Sequence, residues 1–570
     1  MTNAYDLRPV SLPRLSGGTF SIFVKLLESR LLGSTLTGKT LSDMGIPYFR
    51  DLVVTESPVF RPTWPVSPAI PRPETTDVFE APHPTLPPVG PVVRAGFLAR
   101  TAEDFANAYR SGQTTPEEVA EKALAAITAS DGLNPPLRAF LAPRREEVMA
   151  AARASSDRWK KGRPFGLLDG VPVGIKDELD LAGYPTTVGT RFLGTSAATE
   201  DAHAAGRLRA AGALLLGKTN MHEIGIGVTG FNRPHGTARN PHAPGHYTGG
   251  SSSGSAAAVA AGLCPVALAA DAGGSIRIPS ALCGVVGLKP TFGRVSSHGG
   301  APLAWSLDHY GPIAATVRDA ALAYALMGGH DPRDRDTRFQ PPLTLSGLED
   351  RANAGLGDLT IGIFRPWFED AAPDVVKACR ELLDQLVARG AKLVEIEIPE
   401  LRAAQLAHLV TVASEMATSM APHMREHGRD FGLDVRANLA LARAFTAGDY
   451  VKAQRVRART MAAFQNVLEK VDVIVTPATG ATAPAIRADV LPDGESDLTT
   501  LLALMRFAFP SNLTGHPAIS FPAGYDPQGL PVGMQLIGRP WHEHVLLRVA
   551  RAAEAFVERR KPQVSYDLLG

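Results

Sequence analysis

From residue 96 onward, short apolar runs alternate with longer segments in which apolar residues recur every three or four positions. GALLLG (212–217), PVALAA (265–270), LTIGIF (359–364), DVIVTP (472–477) and HPAISFP (516–522) read as buried strands. DVVKACRELLDQLVARG (374–390) and HEHVLLRVARAAEAFVERR (542–560) carry the helical period instead. Thr115-Pro116-Glu117-Glu118 forms a capping box with proline at the first helical position. Val119, Ala123, Leu124 and Ile127 then make the buried stripe of the helix that it opens. The alternation predicts an α/β layer structure with helices on both faces of a sheet. Residues 400–470, rich in Ala, Arg and Met, read as a helical insertion over that core.

The first 95 residues follow a different pattern. In TFSIFVKLLESRLL, Phe20, Phe23, Leu27 and Leu31 recur at helical spacing. The stretch is too short to span a bilayer and carries Lys25, Glu28 and Arg30. It reads first as a helix docked on its own protein, with a membrane-surface or dimer contact as alternatives. Residues 58–91 hold eleven prolines, which excludes helix and predicts an extended connector. The chain therefore divides into an N-terminal extension, 1–95, and a core domain, 96–570. The first residues lack the basic start and unbroken apolar run of a secretory signal.

Charge and cysteine usage narrow the function class. With 58 basic and 57 acidic residues, the net charge of +1 supplies no field for nucleic acid or an anionic membrane. The three cysteines, Cys264, Cys283 and Cys379, are too few for a disulfide framework and lack metal-ligand spacing. A reducing, cytoplasmic home fits this usage, and no metal or cofactor is expected.

Three motifs compete for the chemistry. Gly212 to Thr219 satisfies G-x-x-x-x-G-K-[ST], but Ala and Leu between the glycines belong in a strand and cannot curl around phosphate. Gly250 to Gly254 satisfies G-x-S-x-G, yet a proline- and histidine-bearing loop precedes it where a nucleophile elbow needs a buried strand. That reading would also need a histidine downstream, and His298 or His309 could only be chosen arbitrarily. The third motif is the block from Gly249 to Ser297, where Ser251 and Ser275 lie 24 positions apart. Such a Ser/Gly tract alone reads as a solvated linker, but here Ala/Val/Leu runs fit for burial bound it. Ser255 to Ala261 is helix-forming, Gly262 can end that helix, and PVALAA then delivers Asp271-Ala272-Gly273-Gly274-Ser275 at its carboxyl end. Glycines there let consecutive N–H groups of Ala272, Gly273, Gly274 and Ser275 aim into one volume, as an oxyanion hole requires.

Upstream, Lys176 follows the apolar run VPVGI in VPVGIKDELDLAG. A lysine serves as a base only when neutral, which burial favours. Asp177 and Glu178 oppose that if they face it. Asp271 and Arg277 flank Ser275 and can anchor its loop as an ion pair or face substrate. His222, His242 and His246 read as bystanders.

Together, the Lys176 segment, the 249–297 block and NLTGHPAISFPAG…GLPVGMQLIGRPW resemble the amidase signature family across nearly all of the chain after residue 96. The resemblance implies a large mixed-sheet fold and a serine amidohydrolase acting on a small-molecule amide. It casts Lys176, Ser251 and Ser275 as base, bridging serine and nucleophile, and implies a cis Gly250–Ser251 peptide. It makes Gly225, Ile226 and Gly227 pocket wall, with Gly250, Ser252, Asp271 and Arg277 in support. Ser253 stands where the family's GGSSGG has glycine. A role like that of a glutamine amidotransferase subunit, or ester or carbamate hydrolysis on the same fold, stays open, as does a homodimer.

Overall fold

The computed structural model describes residues 5–9, 13–65, 96–345 and 355–570. Most of the proline-rich connector lies outside the described residues; its described part, 58–65, contains no helix.

Eleven strands build the central sheet: β1 (Phe140–Leu141), β2 (Pro172–Lys176), β3 (Leu214–Thr219), β4 (Val266–Asp271), β5 (Val286–Lys289), β6 (His309–Ala314), β7 (Thr360–Ile363), β8 (Lys392–Glu395), β9 (Val473–Pro477), β10 (Ala518–Tyr525) and β11 (Pro531–Gly538). Their order is β8-β7-β9-β11-β10-β5-β6-β4-β2-β3-β1. The sheet is mixed. β2 runs parallel to both β3 and β4, whereas β4 and β5 are antiparallel to β6 between them. Every residue of β2, β3 and β4 is buried, which is why these strands read as unbroken apolar runs rather than alternations. One edge is closed by the two residues of β1, the other by β8, whose four residues are all exposed.

The strand pattern places the competing motifs. Lys218 lies inside β3 and its Nζ is 3.2 Å from Asp177 Oδ1, so the Gly212–Thr219 segment forms no phosphate cradle. The Thr115–Glu118 capping box forms with both of its hydrogen bonds. The expected helix over 542–560 is shorter, Glu543–Ala553, continued by one 3-10 turn to Phe556.

The N-terminal residues form α1 (Gly17–Leu27), α2 (Gly33–Asp43) and α3 (Ile46–Asp51). Phe20, Val24 and Leu27 are the buried face of α1. Leu31, expected on that stripe, lies beyond the helix end and is 89% exposed, while Val24 fills the position. Further along come α4 (Ser253–Ala260), α5 (Leu401–Met420), α6 (Leu433–Ala442) and α7 (Ala447–Leu468). Phe20, Val24 and Leu27 pack with Leu433 and Ala437 of α6. Leu41, Ile46 and Phe49 share a second core with Ala403, Leu406, Ala407 and Val410 of α5 and with Met221, Ile224 and Leu303. After α3 the chain crosses α7: Val59 N–H donates to Gln454 C=O, and Arg457 Nη1 donates to Phe60 C=O at 2.9 Å. Trp64 Nε1 then donates to Thr514 C=O at 2.9 Å. No described helix is long and apolar enough to cross a membrane.

Candidate active site

Parallel pairing of β2 with β4 brings Lys176, the last residue of β2, beside the strand that delivers the Asp271–Ser275 turn. Ser251 precedes α4, and α4 packs on β2, β3 and β4. Lys176 Nζ is consequently 2.8 Å from Ser251 Oγ and 3.3 Å from the Ala270 carbonyl. It is also 2.6 Å from Glu178 Oε2, with the side chains 1% and 3% exposed. Of the two carboxylates that follow Lys176, only Glu178 faces it, because Asp177 turns to Lys218 and Thr187.

The three partners of Nζ differ in what they can offer. The carbonyl only accepts, and so does the carboxylate when ionised, while the Ser251 hydroxyl can also donate. An ammonium would donate to all three. A neutral amine, with two N–H groups and one lone pair, satisfies both acceptors and turns its lone pair to the hydroxyl. The three partners thus leave no hydrogen-bonding group of Nζ unpaired in either form. Deeper in, the buried Asp308 carboxyl is pushed well above the usual range, first by burial and then by the charge of Glu178.

The two serine loops are stitched together by backbone. Ser252 N–H donates to Ser275 C=O at 3.3 Å, and Ser252 Oγ donates to Ala270 C=O, the carbonyl that Lys176 also reaches. The Gly250–Ser251 peptide is cis. The Ser251 and Ser275 hydroxyls are not hydrogen-bonded to each other; such contacts commonly tighten when substrate binds. Ser275 is 5% exposed.

Asp271 and Arg277 lie beneath the turn, both side chains fully buried, with Nε–Oδ2 at 3.0 Å and Nη2–Oδ1 at 3.1 Å. Burial alone would raise the Asp271 carboxyl, but the Arg277 charge and its hydrogen bonds hold it well below the usual carboxylate range. Arg277 also donates to Gln535, Asn512 and Ala508, so both side chains of the pair are engaged in anchoring the loop. Asp271 corrects one expectation: its Oδ1 accepts the Gly274 N–H at 2.6 Å, which removes that amide from the expected oxyanion donors. Among the described residues no acceptor is found for the amides of Ala272, Gly273 and Ser275.

Gly225, with φ of +70°, presents its Cα side to the bridging hydroxyl; a Cβ there would lie 3.5 Å from Ser251 Oγ. A Cβ at Gly227 would overlap the His222 ring. Ile226 packs with Ala272 against the second core. His222 is no bystander: its backbone N–H donates to Ser251 C=O at 3.0 Å and its Nε2 is 2.9 Å from Asp434 Oδ2. His242 lies farther off against Tyr525, and a β-bridge ties His246 to Ala485. Two residues that sequence reasoning does not single out lie next to these segments, one beside His222 and one on the Ser275 turn. Glu223 accepts Gly432 N–H, and burial raises its carboxyl to about 8. His408 of α5 reaches the Ala272 carbonyl. Nothing local in the sequence marks either, since their partners lie far along the chain.

A family model described as Amidase matches residues 119–547. Fatty acid amide hydrolase from Medicago truncatula is 42% identical over 99% of this chain and 96% of its own. A glutamyl-tRNA(Gln) amidotransferase subunit from Chloroflexus aggregans is 37% identical and covers 80% of this chain and 97% of its own. Among solved structures, a chain from a vestigial complex bearing on the origins of an s-triazine catabolic enzyme superposes with a TM-score of 0.73 at 34% identity, covering 80% of this chain and 98% of its own.

Proposed function

This chain belongs to the amidase family and is a serine amidohydrolase that cleaves amide C–N bonds; from that premise we propose that it hydrolyses long-chain N-acyl amides through an acyl-enzyme on Ser275. The catalytic reading is carried by the buried contact of Lys176 Nζ with Ser251 Oγ, beside the loop that ends in Ser275. Ser275 Oγ attacks the amide carbon while its proton passes to Ser251 Oγ, whose own proton passes to Lys176 Nζ. The carbonyl electron pair becomes an oxyanion, received by the free amides of Ala272, Gly273 and Ser275. Collapse breaks the C–N bond, and the proton returns through Ser251 to the leaving amine. Water, deprotonated by the same relay, then cleaves the Ser275 ester.

The acyl preference is supported by the Medicago relative, which matches 99% of this chain and so most of the extension. It is supported too by the apolar core against which Ile226 and Ala272 pack beside the Ser275 turn. The amidotransferase relative leaves a fifth of this chain uncovered, so glutamine is the less apt substrate. A reducing, cytoplasmic setting suits three cysteines that are all buried and unpaired. The extension 1–95 and the domain 96–570 act as one catalytic unit, because α2 and α3 join the core that backs the site.

The test is turnover of a panel by wild type and Ser275→Ala. Long-chain N-acylethanolamides, short primary amides, glutamine and aryl carbamates are compared. Wild-type preference for the long acyl chain, with Ser275→Ala silent, is expected. Faster turnover of glutamine or of short amides would overturn the acyl assignment, and an active Ser275→Ala would overturn the nucleophile.

A further inference from the structure

The turn that carries Ser275 is held at one point by a residue from outside the sheet. His408 projects from the middle of α5, and its Nε2 is 2.8 Å from the Ala272 carbonyl oxygen. A carbonyl only accepts, so Nε2 bears the proton. Burial, foremost, holds this imidazole down to about 4, so at neutral pH it is uncharged and has a single N–H to give. That N–H is spent on Ala272.

The geometry of the peptide unit carries the consequence. In a trans peptide the C=O and the following N–H point in opposite directions, and Ala272–Gly273 is not among the cis bonds. Fixing the Ala272 oxygen on His408 therefore fixes the direction of the Gly273 N–H, away from α5. The ring also packs on the other side of the unit. A Cβ at Gly273 would stand 2.9 Å from His408 Cε1 and 3.1 Å from Met505 Cε. One residue on, the Gly274 N–H is already committed to Asp271. The turn is thus clamped from α5 at Ala272 and from beneath at Gly274, and the Gly273 amide between the clamps stays without an acceptor among the described residues.

We propose that His408 is a positioning residue that sets the Ala272–Gly273 peptide plane and so aims the Gly273 N–H at the oxyanion formed on acyl transfer. This rests on the reading of Ser275 as nucleophile. His408 touches neither substrate nor the reacting atoms. Its effect reaches the transition state through one peptide unit, so it belongs in kcat rather than in KM.

The experiment compares wild type, His408→Phe, which keeps a ring but loses the donor, and His408→Gln, whose side-chain N–H can take the place of Nε2–H. Steady-state kinetics on a long-chain N-acyl amide are read beside the melting temperature. His408→Phe is expected to lose about 10- to 100-fold in kcat, less than the full loss of an oxyanion donor, with KM within about 2-fold. His408→Gln is expected to recover to within about 5-fold of wild type. Wild-type kcat in His408→Phe, or equal loss in His408→Gln, would overturn the proposal. Should His408→Phe not fold, Gly273→Ala disturbs the same peptide from its other side: a loss confined to kcat supports the proposal, an unchanged kcat refutes it. Labelling by an alkyl fluorophosphonate, with the adduct located by mass spectrometry, separates the two readings. An adduct elsewhere than Ser275 defeats the nucleophile assignment; an adduct on Ser275 with unaltered His408→Phe kinetics defeats only the His408 assignment.

Discussion

Two buried ionisable residues beside the site make opposite demands on pH. Glu223 ionises near its ordinary 4.5 when unfolded and near about 8 in the fold, because burial penalises its charge. Between those values the native state holds a proton that the unfolded chain has lost. The stability contributed by Glu223 is therefore complete below about 4.5, declines as pH rises and is gone above about 8. Glu223→Gln, neutral throughout and still able to accept the Gly432 N–H, should flatten the fall of melting temperature across that window; an unchanged slope would refute the assignment. Asp271 is the reverse case, a carboxylate kept ionised by Arg277. Asp271→Ala strands a buried guanidinium and should cost about 3–5 kcal/mol in urea unfolding. A loss below about 1 kcal/mol would mean that Asn512 and Gln535 suffice for Arg277.

At the scale of elements, the sequence speaks clearly wherever a segment's environment is set by its own period. The strands at 212–217, 265–270, 359–364, 472–477 and 516–522 all appear, their ends displaced by up to three residues. β5, β6 and β11 are hard to read because glycine, proline or polar residues interrupt their apolar runs, as in HYGPIA and PVGMQLIG. Lys176, Ser251 and Ser275 are legible because each stands at the end of such a run or at a Gly/Ser break beside one. Glu223 and His408 are not, since their partners lie 209 and 136 positions away. The docking of α1 is legible in outline, but Val24 rather than Leu31 completes its stripe. Phe20 is fully buried there, so Phe20→Ala should cost about 3 kcal/mol or more by urea unfolding. A shift below about 1 kcal/mol would mean that α1 is only loosely seated.

Over the whole molecule, the extension and the helices α5, α6 and α7 form a layer that shares a core with Met221, Ile224 and Leu303. The turn at Ser275 is thus set from two directions, by the sheet through Asp271 and Arg277 and by that layer through His408. The matched family segment, 119–547, omits α1, α2 and α3. Residues 96–570 expressed without the extension should lose soluble yield or melt well below the full chain, since Leu433, Ala437 and the α5 face would be uncovered. A fragment as stable as the whole chain would show that the extension is dispensable.

The far edge of the sheet bears on a different property. β8 ends the array with four exposed residues, and its two apolar positions, Leu393 and Val394, sit between Lys392 and Glu395. Unpaired backbone along such a border invites strands from neighbouring molecules, and charged ends on a short strand discourage them. Lys392 and Glu395 are therefore solubility guards: replacing both with valine should leave turnover intact while the concentrated protein turns cloudy, which light scattering would follow.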